Sequence, residues 1–171
     1  DNGGPAPGRV TSNGRYRAGK GTLYEGGVRV AALAAWEGQI KPGTVISDPL
    51  HIVDWYPTLL KLAGASLDQK LPLDGRDAWP TITEGKPSPH EEIMLNAAPA
   101  SGAILVGQWK LVIRGNLGTD ESQIPDVNRV RRPSKSRASG VELFDLRADP
   151  YEQENLARKH PEKVRTLRDR Y

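Results

Sequence analysis

The sequence predicts a chain built in two styles. The first half is rich in glycine and centred on a helix. The second half is α+β, with antiparallel strands covered by a terminal helix. Three observations carry that expectation. Past the Pro87-Ser88-Pro89 turn, apolar residues recur at every second position, the period of a half-buried strand. Gly107-Gln108 separates two such runs and reads as a hairpin turn. From Pro161 to Tyr171, Val164, Leu167 and Tyr171 return to one helical face.

Taken in order, the elements rest on local chemistry. Up to about Gly38 glycine is frequent, and a glycine loop leads into Val28-Arg29-Val30-Ala31-Ala32-Leu33-Ala34-Ala35-Trp36. That run has the length of a buried strand, while its alanines suit a helix; periodicity does not choose between them. Asp54 stands where it can cap a helix running to about Ala63, with Pro57 in the first turn, where a missing N–H costs little. Trp55, Leu59 and Leu62 share one face of this expected core helix, and Gly64 is its stop. A looser connector follows through Pro72, Gly75, Pro80 and Gly85. Strands are expected at Ile93–Leu95, at Ala103–Val106, and at Val141–Leu146. Between them Trp109, Leu111 and Ile113 alternate with Lys110, Val112 and Arg114, as in a strand with one wet face.

Composition narrows the class. The 171 residues suit one domain or one large piece of a bigger protein. With 18 glycines and 14 prolines, the chain stays below the roughly 25–30% that marks low-complexity sequence. A formal charge of +3 singles out no partner. Cysteine is absent, which excludes a disulfide frame or a thiolate metal site within these residues. No apolar run reaches the roughly 20 residues of a membrane span.

Chemistry concentrates at the start. Asp1-Asn2 offers two hard oxygen ligands of the kind that calcium or magnesium takes. Lys20, flanked by Gly19 and Gly21, is a compact point charge on a loop, suited to an anionic oxygen. Glu25 and Arg29 read as a structural pair that orients a loop, and Gly26-Gly27 as a place of close backbone approach. His51 is expected to serve packing or helix entry, whereas His90 and His160 look exposed. Arg129, Arg131, Arg132, Lys135 and Arg137 lie in a tract, 116–140, with few large apolar residues. It reads as a solvated loop, or as a basic rim for a polyanionic substrate. Without interleaved aromatics it is a poor nucleic-acid surface.

These pieces together resemble the formylglycine-dependent sulfatase family, and arylsulfatase B-like members in particular. The resemblance is carried by Asp1-Asn2, Lys20 before Glu25-Gly26-Gly27-Val28-Arg29, and His51-Ile52-Val53-Asp54-Trp55-Tyr56-Pro57-Thr58-Leu59-Leu60. Further matches are Pro72-Leu73-Asp74-Gly75, Trp109-Lys110-Leu111, and Leu143-Phe144-Asp145-Leu146 with Asp149-Pro150 and Glu154-Asn155-Leu156. Each is weak alone; in this order they cover nearly all of the chain outside the basic tract.

The resemblance implies an alkaline-phosphatase-like α/β sulfatase fold. Residues 1–90 would end the large catalytic α/β domain, and 91–171 would form the small α+β subdomain with its antiparallel sheet and covering helix. It implies that Asp1 and Asn2 are metal ligands for calcium or magnesium, and that Lys20 contacts the substrate sulfate as a catalytic and substrate-binding residue. It also implies a formylglycine nucleophile made from a Cys/Ser-x-Pro-x-Arg motif. No such motif occurs here, so the chain is expected to need the missing N-terminal part of the same enzyme and to be inactive alone. The expected substrate is a sulfate ester, on a sulfated sugar or glycosaminoglycan, with specificity set around Asn96 to Ser101 and Asn116 to Gly140. A periplasmic, secreted or lysosomal location goes with the resemblance. Two other readings stay open: a phosphate or phosphonate ester hydrolase of the same superfamily, and a non-catalytic module for anionic polysaccharide.

Overall fold

The computed structural model describes residues 2–5, 11–98, 101–115 and 140–171. Asp1, positions 99–100 of the expected specificity loop, and the basic tract through residue 139 lie outside the described residues. The chain forms two compact units, one of Asp1–Val30 with Glu92–Tyr171 and one of Ala31–Glu91. Within the first unit, the glycine-rich opening packs on the antiparallel sheet through Leu23 and Tyr24.

The first unit is built on a four-stranded antiparallel meander, β1 (Glu92–Ala98), β2 (Ser101–Val106), β3 (Trp109–Ile113) and β4 (Val141–Asp145), in sequential order. The predicted turn at Gly107-Gln108 joins β2 to β3, with Gly107 left-handed at φ 57. Register pairs Ile104 with Leu111 and Leu111 with Leu143, so the aliphatic residues of three strands align on one face. The terminal helix (Pro161–Arg170) covers that face with Val164 and Leu167, as its spacing predicts.

The opposite face departs from expectation. Lys110 and Val112 do not look into water; both are fully buried. Leu23 and the partly buried Tyr24 pack there against Ala103, Val112 and Phe144. The strand is therefore buried on both faces. The apolar residues that cover it come from a short segment whose sequence carries no periodic signal.

In that segment a single helical turn, α1 (Glu25–Val28), ends the glycine loop. Beyond it, Arg29–Trp36 forms neither the strand nor the helix its composition allows, and it is exposed. A strand needs a ladder partner, and none pairs with it among the described residues.

In the second unit a 3₁₀ turn (Ile52–Asp54) runs into α2 (Trp55–Leu62), which stops at Gly64 with φ 68. His51 fills the helix-entry role: its side chain accepts the Val53 N–H, while Asp54 accepts the His51 N–H, closing a capping box. Asp54 does not cap α2 through its side chain. It is instead a buried hub, accepting from the Arg76 N–H at 2.9 Å and lying 2.7 Å from His90 Nε2. His90 is consequently part-buried, not exposed as its polar neighbours suggested; its side chain is 9% accessible. The buried side of α2 is Pro57 and Thr58, whose hydroxyl bonds Asp54 O and the Ala78 N–H. The Trp55, Leu59 and Leu62 stripe faces a shallow apolar groove shared with Trp36 and Trp79. The connector also holds α3 (Trp79–Glu84), stopped by left-handed Gly85. Its β-branched, proline-containing sequence hid it.

Candidate functional site

The site is best built from Gly3 and Gly4. The Gly3 N–H donates to Gly27 O at 3.0 Å, and the Lys20 N–H donates to Gly4 O at 3.0 Å. These bonds bring the backbone beside Asn2 against both the lysine loop and the glycine pair after Glu25. Asn2 and Lys20 are both exposed, and Asp1 lies outside the described residues.

Close approach explains the glycines. A Cβ on Gly3 would stand 1.8 Å from Gly26 O, and one on Gly26 would stand 2.3 Å from Ala18 O. No side chain fits at either place. The lysine loop itself is tightly wound, with Ala18 at φ 59 and Gly21 at φ 86 on either side of Lys20.

Asn13, which the sequence reading passed over, holds this arrangement together. Its Oδ1 accepts the Gly4 N–H at 3.0 Å, and its Nδ2 donates to Gly4 O at 2.9 Å and to Ala18 O at 3.1 Å. The carboxamide thus pairs with Gly4 as a neighbouring peptide group would, and it ties that residue to the turn that presents Lys20. Its only sequence signal was an Asn-Gly pair, which reads as a turn.

Beneath the loop lies a charged cluster. Lys110 Nζ reaches Glu25 Oε1 at 2.8 Å and Glu152 Oε1 at 2.9 Å, and Glu152 Oε2 accepts the Glu25 N–H at 2.6 Å. The Glu152 Oε1 contact is an ion pair without hydrogen-bond alignment. Arg29 is only a peripheral member, 3.5 Å from Glu25 Oε2 and half exposed. Burial pushes the Glu152 carboxyl above its usual value, although Lys110 pulls the other way. The structural pairing read for Glu25 is therefore present, with Lys110 as its main partner.

A second layer surrounds it. Arg17 lies over the Tyr24 ring at 3.9 Å, pairs with Glu142 at 3.1 Å, and bonds Glu152 O at 3.2 Å. Tyr24 also donates to Glu142. Burial, with that hydrogen bond, holds its phenol well above the ordinary range, so it remains a donor. Among the described residues no group of three or more His, Cys, Asp or Glu is arranged to hold a metal ion.

No family model matches the chain. Arylsulfatase J of Mus musculus is 35% identical over 195 residues, covering 98% of this chain and 32% of that protein. Arylsulfatase A of Bos taurus is 36% identical over 151 residues, covering 84% of this chain and 29% of its own length. A solved sulfatase structure from Bacteroides thetaiotaomicron, described with the metabolism of multiple glycosaminoglycans, superposes with a TM-score of 0.64 at 25% identity, covering 91% of this chain and 31% of that one. The chain thus spans about a third of the length of the relatives it matches. With this likeness in both sequence and fold, the chain belongs to the sulfatases and corresponds to a C-terminal portion of one.

Proposed function

We propose that the protein carrying this chain hydrolyses sulfate esters of sulfated sugars, and that Lys20, Asn2 and Asp1 form this chain's share of the active site. One observation supports the reading most directly. Gly4 O receives the Lys20 N–H while Gly3 is held to Gly27, so the ligand-bearing segment and the lysine loop share one backbone frame. As the S–O bond of a sulfate ester breaks, negative charge builds on the departing bridging oxygen, next to the already anionic peripheral oxygens. A fixed ammonium beside those oxygens stabilises that state more than the ground state.

Lys20 is the sulfate-binding cation in this reading. It is exposed and makes no ion pair among the described residues, so its charge is not already spent on a carboxylate. Carboxylate and carboxamide oxygens are a fitting donor set for calcium or magnesium, and Asp1 with Asn2 would supply part of a coordination shell. When bound, such a cation neutralises sulfuryl oxygens, and a formylglycine outside residues 1–171 supplies the nucleophile. Asn13 and the buried Glu25–Lys110–Glu152 cluster fix the loop before substrate arrives, so little ordering remains for the reaction itself.

The test is Lys20→Ala in the intact protein, assayed on an aryl sulfate. Loss of roughly 10²–10³ in kcat is expected, the size of removing one preorganised oxyanion partner. Activity within a few-fold of the parent protein overturns the assignment of Lys20.

A further inference from the structure

Charge bookkeeping around the loop leaves a second cation unaccounted for. Arg17 is paired with Glu142, and Glu25 and Glu152 are engaged by Lys110 with Arg29 at the edge. Two exposed cations of the same loop, Arg15 and Lys20, have no carboxylate partner among the described residues. Unlike an ordinary surface arginine, Arg15 is held in place. Its Cζ sits 4.3 Å above the Tyr151 ring, Tyr151 packs on Tyr16 at 5.6 Å, and Arg29 lies 4.9 Å over Tyr16.

Both rings of this column are anchored in the fold. Tyr151 adjoins Glu152, whose buried carboxylate takes the Glu25 N–H, and the Tyr16 N–H bonds Asn13 O. Stacking a guanidinium on a ring uses its face and leaves its edge donors free for a planar or tetrahedral anion. The rotamer ordering that normally weakens surface arginine contacts has been met by the tyrosine, so an arriving anion gains more from the contact.

We propose that Arg15, stacked on Tyr151, is a second anion subsite that takes a further sulfate or carboxylate of a polyanionic oligosaccharide, beyond the ester that Lys20 binds. This rests on the sulfatase reading above and narrows its substrate class to a multiply charged sugar. Arg15 here is a binding residue, and Tyr151 acts through it as a positioning residue.

The test compares kcat/KM for a chondroitin 4-sulfate tetrasaccharide with that for a simple aryl sulfate, in the intact protein. Arg15→Gln should lower the ratio about tenfold, the scale of one solvent-accessible charge-assisted hydrogen bond. Arg158→Gln, which removes the same charge at another exposed position, should leave the ratio in place. Tyr151→Leu should lower it about threefold and Tyr151→Phe restore it, because the ring and not the hydroxyl holds the guanidinium. A carboxyl-reduced tetrasaccharide separates the sources. If Arg15→Gln acts equally on it, the group recognised is sulfate; if the effect disappears, it is carboxylate. A ratio that Arg15→Gln leaves unchanged, or that Arg158→Gln lowers as much, overturns the subsite. Equilibrium binding of the same tetrasaccharide reads Arg15 without turnover. If the parent protein cleaves neither probe, the sulfatase reading fails, while tenfold weaker binding by Arg15→Gln still supports the subsite and equal binding refutes it.

Discussion

Lys110→Met puts the buried cluster under the sharpest test. Lys110 is fully buried, with Glu25 at 2.8 Å and Glu152 at 2.9 Å. Methionine fills the space of the lysine stem but leaves two carboxylates without their cation, and the half-exposed Arg29, 3.5 Å from Glu25, replaces it only in part. Stranding a buried charge in this way costs about 3–5 kcal/mol, and partial rescue by Arg29 brings our expectation to the lower end of that range. The combined variant Glu25→Gln, Lys110→Met, Glu152→Gln strands no charge and should cost far less, about 1 kcal/mol.

The deficit should also depend on pH in a definite direction. Burial already raises the Glu152 carboxyl above its ordinary 4.5, and Lys110 is the main attraction opposing that rise. Without Lys110 the folded chain holds this proton still more tightly than the unfolded chain. Stability then falls as pH climbs past the unfolded value, so the Lys110→Met deficit should be larger at about pH 8 than at about pH 5. Native-state hydrogen exchange at the Leu111 and Val112 amides of β3 reads it locally. A deficit under about 1 kcal/mol, or one equal at both pH values, would refute the claim that Lys110 neutralises a buried acid pair.

Further consequences concern the loop and the acid. Asn13→Asp keeps the acceptor for the Gly4 N–H but replaces the amide donor facing Gly4 O and Ala18 O with a negative oxygen. It should cost about 2–3 kcal/mol locally, read as faster exchange of the Lys20 amide, and should lower kcat more than it raises KM; a protected Lys20 amide in this variant removes Asn13 from its role. Glu152→Gln deletes the raised carboxyl itself, so stability should fall less steeply with rising pH above about 4.5 than in the parent protein. Urea midpoints across that pH series check it, and identical slopes mean that Glu152 titrates alike in both states.

Much of the first unit's sheet was legible, because its information is local. β2 is a short apolar run, β3 alternates, Gly107 supplies the left-handed turn, and Val164 and Leu167 mark the covered face of the last helix. What covers the other face was not legible. Leu23 and Tyr24 sit in a glycine-rich loop without period, so nothing in the strand pattern told that Lys110 would be enclosed and not solvated. His90 misled for a similar reason: its partner Asp54 is 36 residues away, and neighbouring prolines suggested exposure. The Val28–Trp36 run misled in the opposite sense. Its apolar composition promises regular structure, yet a strand exists only where another chain segment completes its hydrogen bonds.

The candidate site shows the same division between motif and support. Asp1, Asn2 and Lys20 are proposed from their chemistry in the sequence, whereas the residues that hold the backbone around Gly3, Gly4 and Lys20 carry no such signal. Asn13 carries no sequence signal beyond an Asn-Gly pair, and Lys110 reads as the polar side of a strand. A buried lysine between two acids is a poor way to gain stability, since apolar side chains of equal volume serve as well or better. Its position gives it a different use. Lys110 projects from the third strand of a rigid sheet and holds Glu25, the residue just before Gly26-Gly27; Gly27 O in turn receives the Gly3 N–H. One directional contact thereby fixes a mobile kind of sequence, a glycine loop, to the stiffest part of the fold. An apolar substitute would fill the space without fixing the turn's orientation. The cluster is accordingly expected to matter more for where Asn2 and Lys20 stand than for how stable the sheet is.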